Sequence, residues 1–228
     1  MTGNEQLRQV VEQTSALLLD FDGPITPLLP GTAGRDLARI AVDVLHRASI
    51  TVPDHIEATT DHLAVLRFAA DTQAARVLGQ LEEACRAAEV MAAAAAEPTP
   101  GSDDVLYAAQ FARRPIVIVT NNADEAVDTY LHRRGLTNLI VGIVGREPGH
   151  PELMKPHARP VQLALEALRS EPESCAFVGD SVTDIEVSHA TGVHSIGYAK
   201  TRERGQELAN AQADVIIHDM SDLATAIR

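Results

Sequence analysis

Basic residues are in short supply: 19 Lys and Arg stand against 32 Asp and Glu in 228 residues, a formal net charge of -13. A chain with that balance lacks the positive face that neutralises a phosphate backbone, so nucleic acid is excluded as the expected partner. Cysteine is scarce as well. Cys85 and Cys175 lie far apart with no metal-ligand spacing and no sequence neighbour to pair with, which suits buried free thiols in a reducing compartment. Missing too is any apolar run of the roughly 18 residues that a membrane span needs. Residues 1–19 carry neither the basic start nor the long apolar stretch of a signal peptide. The expectation is a soluble, cytoplasmic protein, long enough for one domain with an insertion or for two small ones.

What is present is a series of short apolar runs: Ala16 to Leu19, Ile116 to Val119, Leu139 to Val144, Cys175 to Val178, His194 to Ile196 and Val215 to Ile217. Helical segments separate most of them. Asn122-Ala123-Asp124-Glu125 reads as an N-cap with a capping-box Glu, opening a helix that stops near Gly135, and Pro160 starts another that runs towards Arg169. Unbroken apolar strands alternating with helices predict an α/β fold with a parallel sheet covered on both faces. The interval from Pro24 to about Gly101 breaks the alternation. Its helical stretches are Arg35 to Ala48, Asp54 to Ala69 and Asp71 to Ala96, between hinge-like Pro/Gly segments at 24–34 and 97–101. An all-helical insertion after the first strand is therefore expected.

Ligands of open parallel sheets bind beyond the carboxyl ends of the strands, so those ends are where chemistry is sought. The first run ends in Asp20-Phe21-Asp22-Gly23. If strand geometry persists to position 22, the two carboxylates share a face and need a cation or a proton to tolerate one another; a strand turning into an Asx/Gly loop gives the same letters. The second ends in Thr120-Asn121-Asn122, a hydroxyl and backbone amides ahead of a helix, suited to a phosphoryl oxygen or to ordinary capping. Lys155 sits in a loop within Met154-Lys155-Pro156, where a lysine is commonly solvated. Asp180 and Asp184, in Gly179-Asp180-Ser181-Val182-Thr183-Asp184, are one helical turn apart and serve equally as a shared face or as helix caps.

Taken together and in this order, the four motifs resemble the haloacid dehalogenase (HAD) superfamily of phosphotransferases. The phrasing Met154-Lys155-Pro156 and Val178-Gly179-Asp180-Ser181 is as specific as the spacing, and the helical insertion looks like the C1 cap of phosphoglycolate-phosphatase-like members. The resemblance implies a doubly wound, Rossmann-like core of residues 1–23 and 102–228 with a helical cap of residues 24–101. It implies a Mg²⁺-dependent phosphatase acting on a small phosphorylated metabolite through an aspartyl phosphate. Asp20 matches the nucleophile and Asp22 the general acid/base. Thr120, Asn121 and Lys155 match the phosphoryl-binding groups. Asp20, Asp22 through its carbonyl oxygen, Asp180 and Asp184 match the metal-binding set.

The chain departs from the superfamily at Pro24-Ile25-Thr26-Pro27-Leu28, where Thr or Val and then an Asp-Ser pair commonly follow D-x-D-G. Pro24 removes a backbone donor and stiffens the first hinge. A sugar phosphomutase would share the site, and an idle metabolite-binding domain would share the fold. Substrate choice is expected to lie in the cap. Its polar candidates are Arg35, Arg39, His46, His55, His62 and Arg67, and Arg146 and His150 precede Lys155 in a nearby loop; each reads equally as a solvated or structural residue.

Overall fold

The computed structural model describes residues 3–228. Helix α1 (Gly3–Gln13) precedes strand β1 (Ala16–Leu19); α2 (Ala33–Arg47), α3 (Asp54–Glu57), α4 (His62–Ala70), α5 (Leu78–Ala93) and α6 (Ser102–Phe111) then follow before β2 (Ile116–Val119). Strict alternation takes over from there: α7 (Asp124–Arg134), β3 (Gly142–Val144), α8 (Arg159–Leu168), β4 (Cys175–Gly179), α9 (Val182–Thr191), β5 (His194–Tyr198), α10 (Arg202–Asn210), β6 (Val215–Ile217) and α11 (Met220–Ile227). All strand pairings are parallel, in the order β3-β2-β1-β4-β5-β6. The chain builds outward from β1 to β3, then crosses back to lay β4 on the free side of β1. That reversal makes the crevice between β1 and β4 the place where a doubly wound sheet takes its ligand.

Period-two alternation sorts the strands onto two faces. Leu17, Leu19, Ile116, Ile118, Ala176 and Val178 pack with α1, α6, α7 and α11, while Ala16, Leu18, Val117, Val119, Cys175 and Phe177 pack with α8 and α9. With both faces covered, the central strands tolerate no polar position until they end. Each fully buried Leu contributes roughly 1.5–3 kcal/mol. Cys85 and Cys175 are free and buried, as expected, and among the described residues no helix is long and apolar enough to cross a membrane.

The insertion after β1 is helical, with a hydrophobic cluster of its own built on Leu37, Leu45, Leu66, Leu81 and Cys85. Its helices are shorter than their composition suggested. The segment Asp54 to Ala69 breaks into α3 and α4 because the Asp61 side chain accepts from Leu63 N–H and restarts the helix. Asp71 to Ala96 likewise gives way at Thr72, which caps a 3₁₀ turn over Gln73–Val77 before α5 begins. Helix α5 belongs to two cores. Leu78, Leu81 and Cys85 lie in the cap cluster, whereas Ala93 and the following Ala96 lie in the cluster beneath the sheet. The Pro/Gly linkers are not loose either. Thr26 Oγ1 donates to the Glu97 carbonyl (2.6 Å), Thr99 N–H to the Ile25 carbonyl (2.9 Å) and Thr99 Oγ1 to the Gly23 carbonyl (2.5 Å), while Ile25 and Leu28 are buried.

Two sequence expectations are corrected at the sheet's second and third strands. β3 begins at Gly142 rather than Leu139, because Thr137–Leu139 closes a 3₁₀ turn. Helix α7 begins at Asp124 with Ala123 as N-cap and no side-chain cap, so the Asn122/Glu125 capping box does not form. The Asn122 side chain is engaged instead with Thr120: its Oδ1 accepts from the Thr120 hydroxyl at 3.0 Å.

The free N-terminus of α7 is satisfied from the cap. Glu89, fully buried on α5, accepts Ala123 N–H at 2.9 Å and the Asn122 amide at 3.4 Å. The same carboxylate accepts both terminal nitrogens of Arg146 (3.0 and 3.3 Å) and Nε2 of His62 on α4 (2.8 Å). Burial opposes the charge of Glu89, but the bonds from His62 and Arg146 outweigh it and hold the carboxyl at about 2. A carboxyl whose folded pKa lies below its unfolded value stabilises the fold above the unfolded value and loses that contribution as pH falls through the folded one. Glu89→Gln is therefore expected to destabilise the protein at neutral pH by about 3 kcal/mol. In urea denaturation at stepped pH, the gap to wild type should narrow between about 4.5 and about 2.

Candidate active site

The strand ends converge on a cavity of about 430 Å³ between sheet and cap. From the core it is lined by Asp20, Asp22, Thr120, Asn121, Lys155 and Asp180, so every expected site residue but Asp184 faces it directly. The cap contributes Thr60, Asp61, His62, Leu63 and Arg67.

Lys155 organises the floor. Although it leaves a loop, it is only 2 % exposed. Its Nζ donates to Asp184 Oδ1 (2.7 Å), Asp20 Oδ1 (2.9 Å) and the Val119 carbonyl (3.1 Å), and the ammonium lies over the Phe177 ring with 5.1 Å to its centroid. Burial works against the lysine's charge, yet Asp184 and Asp20 prevail and raise its pKa above the ordinary value. The Asn121 side chain grips the backbone of the same residue. Its Oδ1 accepts Lys155 N–H (2.8 Å) and its Nδ2 donates to the Lys155 carbonyl (3.2 Å).

Asp20, Asp180 and Asp184 offer carboxylate oxygens that all lie within 4.8 Å of one another. Asp184 is occupied beyond its bond to lysine, since Oδ2 accepts the Ser181 N–H (3.0 Å) and hydroxyl (2.7 Å) in a capping box at the start of α9. Asp180 has no ion pair among the described residues. Two glycines make the approach possible. Gly23 has φ +117°, and a Cβ there would fall 2.3 Å from Asp180 Oδ2; a Cβ on Gly179 would fall 2.3 Å from Asp184 Oδ2. Without a cation the cluster is electrostatically frustrated. Burial first, then repulsion from Asp184 and Asp180 working against the Lys155 charge, pushes Asp20 up to about 8. Burial and the Asp184 charge push Asp180 up to about 7. Hard oxygen donors carrying excess negative charge are the donor set of a divalent cation such as Mg²⁺.

Asp22 stands apart from this cluster. Strand regularity ends at Leu19, and a tight turn, with Thr26 N–H on the Phe21 carbonyl and Gly23 N–H on the Thr26 carbonyl, carries Asp22 to the cavity wall. The shared cavity is thus the work of a turn rather than of strand alternation. Asp22 Oδ1 accepts Leu28 N–H at 2.9 Å, leaving Oδ2 for a ligand. Burial raises its pKa, against the pull of that hydrogen bond.

Sequence reasoning passed over Glu89 and offered Arg146 and His150 only as loop residues that could approach a substrate; neither lines the cavity, and Arg146 is buried against Glu89. An acidic residue in the middle of an amphipathic helix carries no signal of its partners 27 to 57 positions away. The cap candidates divide: among the six, His62 and Arg67 line the cavity, while Arg35, Arg39, His46 and His55 do not.

Comparison with known proteins agrees with this geometry. The chain is 30% identical to phosphoglycolate phosphatase of Escherichia coli strain K12 over 128 residues, 56% of this chain and 50% of the relative, so it spans about half the length of the curated relatives it matches. A predicted phosphoglycolate phosphatase from Haemophilus somnus 129PT superposes with a TM-score of 0.69 at 20% identity, covering 95% of this chain and 99% of that one. A predicted phosphatase from Clostridium acetobutylicum gives 0.73 at 17% identity, covering 94% and 98%. The family model for haloacid dehalogenase-like hydrolases matches residues 55–198. That stretch carries Thr120, Lys155, Asp180 and Asp184, and β1 delivers Asp20 and Asp22 to them from outside it. A match over more than half of the chain makes this protein a member of the haloacid dehalogenase-like hydrolase family.

Proposed function

We propose that the protein is a Mg²⁺-dependent phosphatase that hydrolyses a small phosphorylated metabolite through an aspartyl phosphate on Asp20, with a core of residues 1–23 and 102–228 and a cap of residues 24–101. The observation that carries this reading is the meeting of three carboxylates within 4.8 Å beside a buried lysine, at the switch point of the sheet. The cavity of about 430 Å³ suits a small ester. The two buried free thiols suit a reducing cytoplasm.

Asp20 attacks phosphorus as the leaving oxygen departs, and Asp22 gives that oxygen its proton through the oxygen not bound to Leu28. Asp22, now ionised, takes a proton from the water that attacks the aspartyl phosphate, which returns Asp20 and releases orthophosphate. Lys155 holds the attacking carboxylate in place and sets positive charge beside the phosphoryl oxygens. Among the described residues Asn121 N–H has no protein acceptor; it is available to a phosphoryl oxygen, while the Asn121 side chain positions Lys155. Asp20 and Asp180 would hold the metal directly, Asp184 directly or through its waters, and the ion when bound supplies the charge that keeps Asp20 ionised and the phosphoryl group neutralised.

Purified protein is expected to release orthophosphate from phosphate monoesters in the presence of Mg²⁺ and to lose that activity with EDTA and in Asp20→Asn. Release that survives Asp20→Asn would overturn the assignment. Gly179→Ala displaces Asp184 from Lys155 and is expected to lower kcat by about 100-fold, the scale of an ångström's misplacement in a preorganised site, with KM changed less. Steady-state kinetics beside wild type tests this.

A further inference from the structure

Two of the side chains expected to bind the phosphoryl group have no hydrogen left to give it. The N–H donors of Lys155 Nζ go to Asp184 Oδ1 (2.7 Å), Asp20 Oδ1 (2.9 Å) and the Val119 carbonyl (3.1 Å), and an ammonium has no fourth. The Thr120 hydroxyl gives its one proton to Asn122 Oδ1 at 3.0 Å. Lys155 therefore lends the floor of the cavity charge without a hydrogen bond. Arg67 differs on both counts. It reaches the same cavity from α4, half-buried, and has no carboxylate partner among the described residues. One terminal nitrogen donates to the Lys155 carbonyl (3.2 Å), which leaves the other N–H donors of the guanidinium uncommitted. That carbonyl oxygen also accepts the Asn121 side-chain amide (3.2 Å), so the guanidinium is held beside the residue whose backbone N–H is open to a phosphoryl oxygen.

Charge points the same way. Three carboxylates meet within 4.8 Å, and Lys155 with a divalent cation only balances them. A phosphoryl group arriving as a dianion brings negative charge that nothing on the floor offsets. We propose that Arg67 is a catalytic residue supplied by the cap, whose free N–H donors take oxygens of the transferring phosphoryl group in place of the committed donors of Lys155 and Thr120. This rests on the phosphatase reading and adds to it a contact that does not depend on the leaving group. The planar fork matches two phosphoryl oxygens at once, and its anchorage to the Lys155 backbone means that no reorganisation is needed as charge shifts during transfer.

The test assays Arg67→Gln and Arg67→Lys on p-nitrophenyl phosphate and 2-phosphoglycolate, which carry one phosphoryl group on unlike leaving groups. Binding of orthovanadate with MgCl₂ is measured by calorimetry on the same proteins. Arg67→Gln is expected to lower kcat/KM by about 100-fold on both esters, the scale of one oxyanion donor, and to weaken orthovanadate by a similar factor. Arg67→Lys keeps the charge but loses the fork, and is expected to recover about tenfold of each loss. Both variants keep an N–H donor for the Lys155 carbonyl. A role confined to that hydrogen bond would therefore leave the two alike, and that result overturns the proposal. A loss confined to 2-phosphoglycolate, with p-nitrophenyl phosphate and orthovanadate unaffected, places Arg67 on the leaving group and overturns it too. If no ester is turned over, yet orthovanadate binding falls in Arg67→Gln and recovers in Arg67→Lys, the phosphatase reading fails and the oxyanion contact stands. Turnover and binding that are both indifferent to residue 67 sink the contact and leave the phosphatase.

Discussion

The site depends on one ammonium group. Lys155 Nζ directs its three hydrogen bonds to Val119 at the end of β2, Asp20 just past β1 and Asp184 on the helix after β4. Two carboxylates this deeply buried would otherwise each carry a desolvation penalty of several kcal/mol. The same contacts oblige three separate strand ends to stay in register, so charge balance and geometry are one constraint. Asn121 extends it by clasping the lysine's own backbone. What the lysine leaves unbalanced is Asp180, and the acidity remaining there is what a hard cation would answer.

The set was legible because a parallel sheet brings its strand ends together whatever separates them in sequence. Asp20, Thr120, Lys155 and Asp180 are each ordinary in isolation, and their order along the chain carried the meaning. Strand cores were equally legible, since Leu17–Leu19 and Ile116–Val119 can only be buried on both sides. Helix ends were less so. Asn122 looked like a cap, but capping is a competition for one side chain, and the Thr120 hydroxyl won it. Glu89 then filled the vacancy from a different helix, a substitution that no local pattern announces.

Cap and core are correspondingly less separable than the linkers imply. Proline and glycine punctuation suggested free hinges, whereas Thr26 and Thr99 stitch the outgoing and returning segments into a two-ply strap. Helix α5 straddles both hydrophobic clusters and inserts Glu89 between His62 of the cap and Arg146 of the core. Any motion that exposes the cavity has to leave this buried carboxylate satisfied, so the end of α5 travels with the sheet. Pro24, the departure from the family pattern, lies inside the strap, where a stiff backbone suits a segment packed against the core.

The late crossover that lays β4 beside β1 has a consequence for the chain as it is made. Asp20 is followed by the whole helical insertion and by β2 and β3 before Asp180 and Asp184 enter the chain. Until β4 docks, the early strands present carboxylates with neither the acidic partners of the cluster nor a closed crevice between β1 and β4. Assembly of the acidic cluster is thereby tied to long-range closure of the sheet.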